Sequence, residues 1–265
     1  GYSGATVYVD KEICFPNQGG KSYCPRNYDG RFHGLVSMRQ ALGSSLNIPA
    51  VKMLKLNGVE TMMATASAMG ISTFTDPQRY GLSLTLGGGE VTMLDMATAF
   101  GVFANKGYRV DLNPILEVTD SRGKILEKKK NQSPIFGKKV LPEEVTFIIS
   151  DILADNQARS LAFGTNSVLV IPGQTVSVKT GTTNDYRDNW TIGYTPEFLV
   201  TTWVGNNDNS PMGAVVSGVT GASPIWNEIM SFLLEGKKTS PWIPPKNAVR
   251  LSVCKASGLF PAKDV

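Results

Sequence analysis

The chain carries a single histidine, His33, and only three cysteines among 265 residues. Cys14, Cys24 and Cys254 lack paired C-x-x-C spacing, and with one histidine available zinc is the weaker reading of these thiols. Cys14 and Cys24 bracket a turn-rich loop, Phe15-Pro16-Asn17-Gln18-Gly19-Gly20. They fit either a short disulfide-closed loop of an oxidising compartment or reduced, partly buried thiols. Long apolar runs are also lacking. No window approaches the length that spans a bilayer, and no basic-plus-apolar signal segment opens the chain. That says nothing of location, because a chain opening at Gly1-Tyr2-Ser3 without methionine reads as a portion of something longer. Nor does one charge dominate: 26 basic against 22 acidic residues leave +4. The lysines at 128–130, 138–139 and 237–238 lie beside turn signals and read as solvated surface, with an anionic membrane or polymer as the lesser alternative. They are not interleaved with aromatics, which argues against nucleic acid as a partner.

What is present describes an ordinary globular chain, 42% hydrophobic and 18% charged, long enough for one large core or two modest ones. Residues 1–34 are rich in Gly, Pro, Asn and Tyr and read as loop with short strands. Helices are expected over 37–42, over 49–56 with a stop at Gly58, and over 59–69 with a left-handed stop at Gly70. Leu86-Gly87-Gly88-Gly89 leads into a helix over 90–105 with Met93, Met96, Phe100 and Phe103 on a broad apolar face. The glycine run lacks a following G-K-[ST], and Glu90 would repel phosphate, so it reads as a helix-entry turn.

Residues 115–126 predict a hairpin turning at Asp120-Ser121-Arg122-Gly123. Pro142 is expected at the first position of a helix to about Asp155, with two glutamates in its first turn. Strands follow over 175–178, 190–194 and 198–204, with a polar turn at 184–189, then a helix over 224–234. Helices inserted between strands, with the last strands consecutive, imply an α+β architecture: an antiparallel sheet with an all-helical lobe. Trp242-Ile243-Pro244-Pro245 reads as a boundary, dividing a unit over 1–240 from a linker or start of a C-terminal extension over 241–265.

Three stretches carry chemistry. Lys179-Thr180-Gly181-Thr182-Thr183 places a lysine, hydroxyls and a side-chain-free glycine at a β-prone run, a pattern suited to holding an extended peptide by its carboxylate. Ser45 and Asn47 sit in Ala41-Leu42-Gly43-Ser44-Ser45-Leu46-Asn47-Ile48-Pro49; alone they would also fit a helix N-cap and a polar turn. Residues 86–107 read LGGGEVTMLDMATAFGVFANKG.

In this order the stretches resemble the transpeptidase domain of class A (bifunctional) penicillin-binding proteins, over roughly residues 1–235. The 41–51 segment is similar to that family's S-x-N element, KTGTTNDYRDNWTIGYTP to its third motif, and Asn27-Tyr28-Asp29-Gly30 with Phe32-His33-Gly34 to the preceding region. The resemblance implies the penicillin-binding, serine β-lactamase-like fold. It also implies a D,D-transpeptidase: a serine attacks the penultimate D-Ala carbonyl of a peptidoglycan stem, D-Ala leaves, and an amine of a neighbouring stem takes the acyl group. β-Lactams mimic the D-Ala-D-Ala end. Peptidoglycan stem peptides and β-lactams are therefore the expected partners, no cofactor or metal is implied, and the whole protein is expected to be extracytoplasmic and membrane-associated.

By the same resemblance the catalytic residues are Ser45 (proton shuttle), Asn47 (substrate amide), Lys179 (carboxylate handle and polariser) and Thr182 (hydroxyl and second oxyanion N–H). Thr180, Gly181 and Thr183 are expected to bind substrate. Val178 stands where many relatives carry glycine. The nucleophile motif, S-x-x-K, is expected before Gly1. Ser121-Arg122-Gly123-Lys124 falls in the predicted hairpin turn, and Ser252-Val253-Cys254-Lys255 follows the third motif. Both come in the wrong order, and in a hairpin turn the first pair would not share the helix face that i, i+3 pairing needs. This chain alone is thus expected to be inactive and to need a partner segment. A non-catalytic module binding stem peptides or a partner, and a D,D-carboxypeptidase using water as acceptor, are the alternatives.

Overall fold

The computed structural model describes residues 2–16, 20–128, 137–183, 186–213 and 220–261. Asn17, Gln18 and Gly19 of the cysteine loop, Lys129 and Lys130, and Asn184 and Asp185 of the polar turn lie outside them. Chain order begins with the antiparallel pair β1 (Val7–Asp10) and β2 (Gly34–Ser37), followed by α1 (Met38–Gly43), α2 (Asn47–Asn57) and α3 (Val59–Met69). Two 3₁₀ turns (Pro77–Arg79, Leu82–Leu86) precede α4 (Met93–Ala104). Short strands β3 (Tyr108–Arg109), β4 (Glu117–Thr119), β5 (Ile125–Lys128) and β6 (Lys138–Lys139) lead to α5 (Glu143–Ala154) and α6 (Ser160–Phe163). Then come β7 (Ser177–Thr182), β8 (Asp188–Tyr194), β9 (Leu199–Gly205) and α7 (Ala222–Leu233). The architecture is α+β, with β7-β8-β9 an antiparallel sheet.

Local chemistry sets the helix ends. Ser37 caps α1 through a capping box with Gln40, and Gly70 ends α3 in the left-handed conformation at φ 119°. α4 starts three residues later than its apolar pattern predicts, because the Thr92 hydroxyl accepts the Asp95 N–H and fixes the cap there. Pro142 precedes α5 as its cap with extended ψ of 144° instead of occupying the first helical turn. The strand β7, which carries Lys179, also runs further than its β-prone residues indicate: pairing with β8 carries it through Thr182.

The two faces of the sheet are covered differently. On one, α7 buries Trp226 and Met230 against Val176, Val178 and Val200. Gly193 makes this packing feasible, since a Cβ there would lie 2.4 Å from the Trp226 ring. On the other, Tyr194 is fully buried beside Phe100 and Phe103 of α4 and hydrogen-bonds Ser150 of α5 at 3.0 Å. Ser177 ties the strand to the same helix by donating to the Ser150 carbonyl at 2.6 Å.

Two further links position the loops. Arg39 on α1 pairs with Asp151 and Asp155 at the end of α5, at 2.5 and 3.0 Å. Cys14 and Cys24 form a disulfide. Closing a loop of that size stabilises by about 3 kcal/mol through the unfolded state. Two side chains beyond 240 reach the body: Trp242 Nε1–H donates to Ser177 Oγ at 2.8 Å, and Arg250 donates to Asp151 at 2.7 Å.

Candidate active site

The S-x-N segment forms the tight turn between α1 and α2. Gly43 allows α1 to touch the chain at Ala158, where a Cβ would come within 2.8 Å of Ala158 backbone, and the Ser44 hydroxyl donates to the Ala158 carbonyl at 2.8 Å. With its neighbour pinned, Ser45 adopts φ 56°, a conformation L-residues seldom hold without surrounding constraint. Asn47 opens α2, whose cap position, Leu46, has no side-chain acceptor. Asn27 supplies one from a distant loop: its Oδ1 accepts the Asn47 N–H at 2.9 Å. The Asn27 NH2 donates to the Asp10 carboxylate and to the Arg31 carbonyl, at 2.7 and 2.8 Å. Asn47 Nδ2 donates to the Arg26 carbonyl at 2.7 Å, which holds the amide in one orientation and leaves its Oδ1 as an acceptor. His33 contributes its backbone N–H to Asp10 at 2.9 Å.

Across from this turn runs β7. The Thr183 N–H bonds the Asp188 carbonyl at 3.0 Å, and the same register pairs Gly181 with Trp190 and Lys179 with Ile192. Alternation in an antiparallel ladder then directs the N–H and C=O of Val178, Thr180 and Thr182 away from β8, to the open edge. Side chains alternate as well: Lys179 faces the helical lobe, while Thr180 and Thr182 share the α7 side with Val178.

Lys179 Nζ donates to Ser45 Oγ at 2.7 Å and to the Thr180 carbonyl at 2.6 Å. Burial, and secondarily the Arg159 cation, push the lysine pKa down to about 8. Still mostly an ammonium at neutral pH, it retains one N–H beyond these two bonds. As the Ser45 oxygen accepts from Lys179, the Ser45 proton is free to be passed on. Arg159 itself is buried, its own pKa brought to about 10 by desolvation, against the opposing effect of Asp155.

Thr182 Oγ1 accepts from Asn189 Nδ2 at 3.1 Å. The Thr183 hydroxyl is engaged within the chain, bonded to the Asp188 carboxylate at 3.0 Å and accepting the Asp188 N–H at 2.9 Å. Gly181 meets little: a Cβ there would touch only Trp190 Cβ, at an ordinary 3.5 Å. Ser45 and Lys179 are thus brought into direct contact, with Asn47 two residues beyond Ser45 and Thr182 further along the same strand.

Ser121 and Lys124 lie in the turn between β4 and β5, and Ser252 to Lys255 outside any helix, so neither pair shares a helix face. Asn27, Arg159 and Asn189 were not singled out by sequence. Asn27 stood within a matching stretch, but nothing local marks a helix cap supplied from 20 residues away. Among the described residues no group of histidine, cysteine and carboxylate side chains is placed to hold a metal, and no helix is long and apolar enough to cross a membrane.

The penicillin binding protein transpeptidase domain family matches residues 11–231. Penicillin-binding protein 1A of Neisseria flavescens is 30% identical over 94% of this chain, and penicillin-binding protein 1A of Aquifex aeolicus is 32% identical over 92%. The chain spans only 31% and 32% of their respective lengths. Among solved structures, penicillin-binding protein 1A from Haemophilus influenzae superposes with a TM-score of 0.81 over all of this chain and 44% of that one, at 24% identity. PonA1 from Mycobacterium tuberculosis gives 0.77 at 21% identity, over 95% of this chain and 72% of that one. These two likenesses speak for the fold. The chain belongs to the penicillin-binding protein transpeptidase domain family.

Proposed function

We propose that these residues form most of the cleft of a peptidoglycan D,D-transpeptidase. The observation that carries the reading is the Lys179–Ser45 contact at 2.7 Å beside the open edge of β7. A stem peptide ending in D-Ala-D-Ala would lie along that edge as an added strand. Its terminal carboxylate would meet the Lys179 ammonium and the Thr182 hydroxyl, and its amide N–H the Asn47 Oδ1. The Thr182 N–H would face the oxyanion, a contact whose loss typically slows acyl transfer by about two to three decades. Thr180, buried on the α7 side, contributes the carbonyl that steadies Lys179. Thr183, engaged with Asp188, shapes the end of the strand instead of touching substrate. Val178 presents its side chain to the α7 core, away from the open edge.

The attacking serine and its activating lysine would come from an S-x-x-K segment outside these residues. Attack would release D-Ala, with Ser45 handing a proton to the leaving amine. The stem amine or, in a carboxypeptidase, water would then take the acyl group. We place the catalytic unit within about 1–240, with residues after 240 an apposed extension. The whole protein would be membrane-associated with this domain extracytoplasmic, where the Cys14–Cys24 disulfide is stable.

Fluorescent penicillin followed by denaturation tests the reading. The chain alone should carry no covalent label, and a chain extended to include an S-x-x-K segment should be labelled. An unlabelled extended chain would leave a non-catalytic peptide-binding module as the surviving interpretation.

A further inference from the structure

We propose that Asn189 is a positioning residue that fixes the direction in which the Thr182 hydroxyl donates, and thereby the affinity of the β7 edge for ligands with a carboxylate. This rests on the transpeptidase reading above. Asn189 is fully buried on β8, directly opposite Thr182. Its Oδ1 accepts the N–H of Ala222, the first residue of α7, at 2.7 Å. A backbone N–H can only donate, so the carbamoyl oxygen must face Ala222 and the NH2 must face Thr182 Oγ1, 3.1 Å away. A hydroxyl whose oxygen accepts from Asn189 must send its single proton elsewhere, and among the described residues it has no acceptor. The proton is left for a ligand. A core element, the start of α7, therefore sets the polarity of a hydroxyl in the cleft.

Asn189→Asp inverts this arrangement with almost no change of shape. One carboxylate oxygen still satisfies Ala222, while the other can only accept and turns the Thr182 proton inward. Asn189→Ala removes both bonds but leaves the hydroxyl free to rotate.

The experiment uses the chain extended to include the S-x-x-K segment and compares second-order acylation rates with benzylpenicillin and with its methyl ester, which lacks the negative charge. Asn189→Asp should lower the benzylpenicillin rate about tenfold or more while changing the ester rate much less, as loss of one charge-assisted hydrogen bond requires. In a Thr182→Val background, where the hydroxyl is gone, the same substitution should cost nothing further. Asn189→Ala, with a thermal melt to confirm folding, should give an intermediate acid-to-ester ratio and serves if the aspartate variant does not fold. Equal losses with acid and ester, full additivity with Thr182→Val, or a wild-type ratio in both Asn189 variants would overturn the proposal. Absence of label on the unsubstituted extended chain would instead overturn the transpeptidase reading.

Discussion

Lys179 Nζ donates to Ser45 Oγ although 134 positions separate the two residues. The contact joins the sheet to the helical turn and makes the charge of the lysine a property of the whole cleft. Its folded pKa of about 8 lies below the ordinary 10.5. Between those values the folded chain binds fewer protons than the unfolded one, so this residue's contribution to stability rises with pH across the window and is unfavourable below it. On the proposed reading, carboxylate binding would run the opposite way, since the attracting charge is lost as pH climbs through about 8. In the extended chain, benzylpenicillin acylation should therefore decline above pH about 8. Arg159→Gln, which removes the neighbouring cation, should move the inflection upward. An inflection that stays put would show that Arg159 does not act on Lys179.

Gly181→Ala separates the demands of ligand from those of fold. The backbone there is extended, and the added methyl would meet only Trp190 Cβ at an ordinary distance. Removing a strand glycine also restricts the unfolded chain. Stability should change by less than about 1 kcal/mol, in either direction. Penicillin labelling of the extended chain should nonetheless fall by roughly tenfold or more, because the methyl would stand where the proposed peptide approaches the strand. Thermal melts and labelling rates read the two effects independently; a variant that melts early and labels normally would reverse the argument.

Asn27 holds three elements at once: the start of α2, the Asp10 carboxylate at the end of β1, and the Arg31 carbonyl. Asn27→Ala leaves a buried carboxylate and a helix-start N–H without this partner. Urea denaturation should show a loss of about 1–3 kcal/mol. Because Asn47 is the residue so capped, penicillin labelling of the extended chain should slow as well. A variant within about 0.5 kcal/mol of the parent chain would show that Asn27 does not support the turn.

Much of this was legible in the sequence, for identifiable physical reasons. Helices α1 to α3 announce themselves by starts and stops: Ser37, Gly58, Gly70. Ser45, Asn47 and Lys179 were found because their order along the chain resembles a known pattern. What the sequence could not disclose are bonds that depend on tertiary approach. β7 extends through Thr182 only because β8 pairs with it, and no local propensity encodes that. Asn189 reads as the last residue of a polar turn, until pairing extends β8 back to Asp188 and α7 places the Ala222 N–H against its side chain. Arg159 would be expected on the surface, where most arginines lie, yet the turn after α5 buries it.

Gly193→Ala tests whether the sheet that carries the cleft depends on α7. Gly193 lies opposite Val178, one residue before Lys179, and its missing side chain is what admits Trp226. A methyl at this position would sit 2.4 to 2.7 Å from three atoms of the indole, whose ring is fully buried. Either Trp226 leaves its rotamer or β8 shifts, at a cost of about 1–3 kcal/mol in urea denaturation. The cost should be partly relieved by Trp226→Phe, which removes the clashing portion of the ring. Non-additivity of the two substitutions is thus the informative measurement. If Gly193→Ala destabilises equally in the parent chain and in the Trp226→Phe background, the strain lies in the strand and α7 does not govern the position of β7.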